Sequence, residues 1–137
     1  MCLAFLDDII VMSETFDQHL ERLSSVFDRL RQANLKLKPS KCHLFQKRVK
    51  FLGSVVSEKG IEPDPDKVRA VAEWPIPKNL TELRAFVALA SYYRRHILHF
   101  ADIARPLHAL TKKGEAFRWG KQQNEAFETL KDKLITA

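Results

Sequence analysis

Clustered cysteine and histidine are missing from this chain, and so is any long apolar run. Cys2 and Cys42 lie far apart and the five histidines are scattered singly, so neither a zinc site nor a disulfide framework is expected. That pattern fits a reducing compartment. The apolar run from Leu3 to Leu6 is cut at once by Asp7-Asp8, far too short for a signal or membrane segment. A cytoplasmic or nuclear protein with no membrane partner is therefore expected. Internal repeats and low-complexity segments are also lacking, so solenoid architectures are excluded.

What is present suits one ordinary domain with a real core: 137 residues, 45% of them hydrophobic, rule out a disordered chain. The net charge of +6 favours polyanions, although on a small domain it also serves plain solubility. Its distribution is more telling than its size. Arg22, Arg29 and Arg31 are outnumbered by acids in residues 1–34, whereas Glu58 is the sole acid among the many lysines of residues 35–60. A second basic block, residues 81–113, holds Arg84, Arg94, Arg95, Arg105, Lys112 and Lys113 against Glu82 and Asp102. Two such blocks could flank one phosphate track.

The β-favouring runs Leu3–Leu6 and Ile9–Met12 flank Asp7-Asp8, which predicts a hairpin with two carboxylates at or near its tip. Phe16, Leu20, Leu23, Phe27 and Leu30 form a helical stripe with Ser13 or Thr15 as N-cap and Asn34 near its stop. Lys36 to Pro39 reads as a linker. Val49–Leu52 and Val55–Ser57 predict a second small hairpin meeting at Gly53 and closed by Gly60. Asp64-Pro65 starts a short helix that Pro75 stops, and Trp74-Pro75-Ile76-Pro77 is rigid and extended. Leu83, Phe86, Val87, Ala90, Tyr93 and Ile97 then make one helical stripe, with further helices at about residues 100–110 and 121–135. Phe16, Phe27, Phe86 and Tyr93 are expected in the core, and His19, His96, His99 and His108 at surface or edge positions.

Adjacent carboxylates repel, and neither Asp7 nor Asp8 has a basic neighbour in sequence. A divalent cation would resolve that repulsion; the same pair also suits an ordinary solvated turn. The surrounding text discriminates, because Phe5-Leu6-Asp7-Asp8-Ile9-Ile10-Val11 resembles the tyrosine-x-aspartate-aspartate motif of reverse transcriptases. The resemblance continues, in family order, through Asn34-Leu35-Lys36-Leu37, Phe51-Leu52-Gly53, Asp64-Pro65, Trp74-Pro75-Ile76-Pro77, Glu82-Leu83-Arg84-Ala85-Phe86, Tyr92-Tyr93-Arg94-Arg95 and Phe117-Arg118-Trp119. It covers essentially the whole chain and points to the gypsy-type branch of long-terminal-repeat retrotransposons.

That resemblance implies an α+β fold: a partial polymerase palm of β-hairpins packed on a helix, then a mostly helical thumb. Residues 1–60 would be the C-terminal part of the palm, 61–110 the thumb, and 111–137 a tether toward an RNase H domain that is not in this segment. The implied chemistry is templated nucleotidyl transfer with two Mg2+ ions about 4 Å apart, Asp7 being the stronger metal ligand and Asp8 assisting or shaping the turn. The third carboxylate and the fingers are expected upstream, so the chain alone is expected to bind an RNA–DNA or DNA primer–template duplex without polymerising. A missing fingers–palm portion and self-association are the other expected partners. The alternative is a non-catalytic, retrotransposon-derived interaction module.

The resemblance also assigns nucleic-acid contacts. Phe5 stands where the family usually has tyrosine, which keeps a ring but loses a hydroxyl. Ala88 stands where the thumb helix usually has glycine, which raises helix propensity by roughly 1 kcal/mol while adding a methyl. The family's primer grip falls on Leu52, Gly53 and Ser54, with Gly53 letting backbone approach backbone. Lys41, Tyr92, Arg94 and Arg95 complete the binding candidates, the last three on adjacent faces of one helix. Trp74 is expected to anchor the thumb to the palm.

Overall fold

The computed structural model describes residues 1–137. The first two apolar runs pair as antiparallel strands β1 (Cys2–Phe5) and β2 (Asp8–Val11), with Phe5 opposite Asp8 and Leu3 opposite Ile10. Only Leu6 and Asp7 are left to make the turn. Helix α1 (Phe16–Gln32) follows, capped by the Thr15 hydroxyl accepting from the Gln18 N–H at 3.3 Å. Of the two possible caps the structure uses Thr15, and Ser13 instead faces His19 Nδ1 at 2.5 Å.

Helix α1 packs chiefly on β2, and this corrects two expectations. Phe16 is 63% exposed and Phe27 38% exposed, so neither is a core residue. Leu23 is the only residue that the helix buries. Helical periodicity specifies a face, but burial needs a partner surface, and Phe16 remains exposed although its ring lies 5.4 Å from that of Phe45.

After a 3₁₀ turn at Pro39–Lys41, strands β3 (Arg48–Phe51), β4 (Ser54–Ser57) and β5 (Gly60–Pro63) form an antiparallel sheet in sequence order. The expected hairpin is thus extended by a third strand. Gly60 opens β5 rather than closing the segment, and Pro63 is tolerated because it ends an edge strand. The β3–β4 turn holds Leu52 at φ +50° and Gly53 at φ +72°. Positive φ at both central residues matches the right-handed strand twist.

Helices α2 (Pro65–Ala72), α3 (Leu80–Tyr92), α4 (Phe100–Leu110) and α5 (Lys121–Ile135) make up the rest. Asp64 caps α2 through Asp66 N–H at 3.0 Å, and Asn79 caps α3. The predicted stripe Leu83, Phe86, Val87, Ala90, Tyr93 and Ile97 is buried throughout. The helix nevertheless stops at Tyr92, and Arg94–His96 form a 3₁₀ turn that carries Ile97 back to the core. Val71, Leu107, Phe127, Leu130 and Leu134 belong to that same core. Trp74 sits edge-on to Phe86 and accepts from Lys131 Nζ at 3.0 Å through its carbonyl. It therefore ties helices to one another rather than to the β-rich half. No helix is long and apolar enough to cross a membrane.

Candidate nucleic-acid interface

The two predicted site hairpins share one local device, a leucine forced to positive φ in a two-residue turn. Leu6 lies at φ +50° and Leu52 also at φ +50°, a conformation that costs a bulky side chain and concentrates at functional sites. In the first turn the strain presents Asp7 and Asp8, both exposed, and no ion pair of the chain engages either carboxylate. Phe5 points to the same face as Asp8, because cross-strand partners share a face. Its ring is 56% exposed.

The second turn is held from below. Tyr92 donates its hydroxyl hydrogen bond to the Leu52 carbonyl, and the Tyr93 hydroxyl donates to the Gly53 carbonyl at 2.7 Å. The Asp64 N–H reaches that same Gly53 oxygen at 3.2 Å. The two rings stand edge to face at 5.0 Å. A side chain at Gly53 would bring its Cβ to 3.2 Å from both the Tyr92 ring and the Tyr93 oxygen. The missing Cβ at Gly53 thus leaves room for two tyrosines within the chain.

Charge braces the same junction. Lys50 on β3 pairs with Asp64 at 3.1 Å and Asp66 at 2.5 Å. Hydrogen bonds that the Lys50 ammonium donates to these two carboxylates, Asp66 first, hold it above its ordinary pKa. The Asp66 N–H, and then Lys50, hold the Asp64 carboxyl below its usual range. Burial, followed by the neighbouring Tyr92 and Asp64, pushes the Tyr93 phenol up.

Four of the predicted residues, Leu52, Gly53, Ser54 and Tyr92, therefore meet where the β3–β4 turn touches the end of α3. Arg94 and Arg95 follow in the exposed 3₁₀ turn, not on the helix itself. Phe5, Asp7 and Asp8 belong to the other sheet, and Lys41 is exposed in the 3₁₀ turn between the two sheets. Arg84 of the second basic block shares an exposed face of α3 with Ala88 and Tyr92 at four-residue spacing. The Ala88 methyl points to solvent there.

Residues 1–56 match the family model described as reverse transcriptase (RNA-dependent DNA polymerase). The chain is 44% identical over 98% of its length to the retrovirus-related Pol polyprotein of transposon 297 from Drosophila melanogaster, and 34% identical over 96% to the transposon Tf2-3 polyprotein of Schizosaccharomyces pombe. The chain belongs to the reverse transcriptases of long-terminal-repeat retrotransposons. It spans 13% and 10% of those two polyproteins. A foamy viral protease–reverse transcriptase solved with double-stranded DNA superposes with a TM-score of 0.85 at 26% identity, covering 98% of this chain and 24% of that one. The same kind of enzyme solved with an RNA/DNA hybrid gives 0.81 at 26% identity, covering 97% and 18%.

Reverse transcriptases depend on divalent metal. Asp7 and Asp8 fit such an ion in kind, as hard oxygen donors without competing partners. They do not fit it in number, since no group of three His, Cys, Asp or Glu side chains comes together in the chain.

Proposed function

We propose that this chain is the primer–template-engaging segment of an RNA-directed DNA polymerase from a gypsy-type element. Residues 1–60 would close the palm, residues 61–110 form the thumb and residues 111–137 lead toward an RNase H domain, although α5 already packs into the thumb core. The observation that carries this reading is the meeting of the β3–β4 turn with the Tyr92-Tyr93 end of α3. Leu52, Gly53, Ser54 and Tyr92 would touch the duplex there, while Arg84, Arg94 and Arg95 on one side and Lys41 on the other neutralise phosphates. Phe5 would lay its ring beside the nucleic acid next to Asp8. Asp7 and Asp8 would hold Mg2+ together with a carboxylate from outside the chain, and the bound ion would supply Lewis acidity for nucleotidyl transfer. With that ligand absent the chain by itself binds without polymerising.

Titrating a fluorescent RNA–DNA hybrid across a range of salt concentrations tests the proposal. Affinity should fall steeply with salt, and replacing Lys41, Arg94 and Arg95 by Gln should weaken binding and lower the salt slope by about one for each phosphate no longer neutralised. No binding at low salt, or an unchanged slope, overturns it. Adding an upstream fingers–palm fragment should restore templated synthesis that Asp7→Asn abolishes; the non-catalytic module predicts association without synthesis.

A further inference from the structure

We infer that Tyr93, a core residue by every sequence criterion, is a positioning residue that sets the β3–β4 turn for the duplex. The inference rests on the function proposed above. Tyr93 is 2% exposed, so its ring is part of the helical core while its hydroxyl reaches out of that core to the Gly53 carbonyl at 2.7 Å. The partner residues are forty positions apart in sequence, and the bond joins the three-stranded sheet to the end of α3, beside the Tyr92 bond to Leu52 and the Lys50 pairs with Asp64 and Asp66. Its direction matters. The same carbonyl accepts from Asp64 N–H at 3.2 Å, at the start of α2, so the turn is fixed from two helices at one atom. Tyr92 is different: it is 55% exposed and engages the neighbouring Leu52 carbonyl from the outside. A buried hydroxyl with a short bond to a carbonyl cannot exchange that partner for water, whereas an exposed one can. Tyr93 is accordingly the fixed member of the pair, and it determines how the turn lies against the end of α3, where Tyr92, Arg94 and Arg95 stand. Gly53 completes the device, because its lack of Cβ admits both tyrosines and its φ of +72° suits glycine.

Tyr93→Phe removes the hydroxyl and keeps the ring, and Gly53→Ala keeps both hydroxyls while wedging a methyl between the turn and the tyrosines. Two readouts are needed, hydrogen–deuterium exchange over residues 48–57 and affinity for an RNA–DNA hybrid. Both variants should raise exchange in that segment, and both should weaken hybrid binding by about three- to tenfold, the size of one hydrogen bond. The salt slope should stay unchanged because both variants keep every basic side chain. Unchanged exchange in Tyr93→Phe overturns the clasp, and raised exchange with unchanged affinity overturns its role in duplex binding. Should the unmodified chain fail to bind the hybrid at all, the proposed function falls together with the duplex-binding part of this inference. The exchange measurement still decides whether the hydroxyl holds the turn.

Discussion

The first third of the chain and the last half are built from the same kinds of residue, yet they end in opposite conditions. In α2–α5 the apolar stripes of several helices face one another and close over Phe86 and Phe127, which are fully buried with ring centres 4.5 Å apart. In β1, β2 and α1 the stripes are equally clear, but Leu3, Phe5, Ile9, Phe16, Leu20 and Phe27 remain exposed. A two-stranded hairpin and one helix cannot enclose a core. Amphipathic pattern is thus a request for a partner, and the second region contains its partners whereas the first does not.

The sharpest way to break this comparison is to cut one phenylalanine in each region. Phe127→Ala should cost about 3–5 kcal/mol in urea denaturation, because the ring is enclosed by Phe86, Trp119 at 5.7 Å and Lys131 at 5.0 Å. Phe27→Ala should cost distinctly less, about 1 kcal/mol, because that ring is 38% exposed and packs in no closed core. Equal losses would mean that α1 is buried in solution. A smaller effect concerns association: exposed apolar faces of this size favour self-contact. Sedimentation should show Leu20→Lys with Phe27→Lys more monomeric than the parent, with the thermal midpoint of α2–α5 unmoved. Thr15→Ala should cost about 1 kcal/mol of α1 stability, read from helix-resolved hydrogen exchange; no change would show that α1 is held by tertiary packing instead.

The smallest expected effect lies where β3 meets the start of α2. The Asp64 carboxyl titrates below its ordinary value of 3.8 in the folded chain, so in that window the unfolded state binds more protons. Stability is then fully present above the ordinary value and declines as pH falls through the depressed one. Asp64→Asn should flatten this acid limb. A limb identical in the variant would show that Asp64 and its Lys50 pair add nothing to acid stability.

How much of this was legible depended on how local the cause was. Asp64-Pro65 and the stripe from Leu83 to Ile97 carry their structural consequence in neighbouring residues and were readable, and the cap of α1 was readable to within Ser13 or Thr15. Strand β5 was not, because Gly60 reads as the close of the hairpin until β4 offers the residues after it a ladder. At the site, the turn position of Asp7 and the prominence of Gly53 and Tyr92 were legible. The bond from Tyr93 to Gly53 was hidden, since a tyrosine on a buried stripe shows no sign of where its hydroxyl goes.

The sequence by itself determined the helix starts, the two tight turns, the charge blocks and the acidic pair, because capping, proline geometry and periodicity act within a few residues. Only the tertiary structure decided which stripes become core, that a third strand joins the sheet, and that two tyrosines hold the Leu52-Gly53 turn. Those outcomes depend on surfaces and carbonyls brought together across long stretches of chain, and no local pattern encodes which partner will arrive.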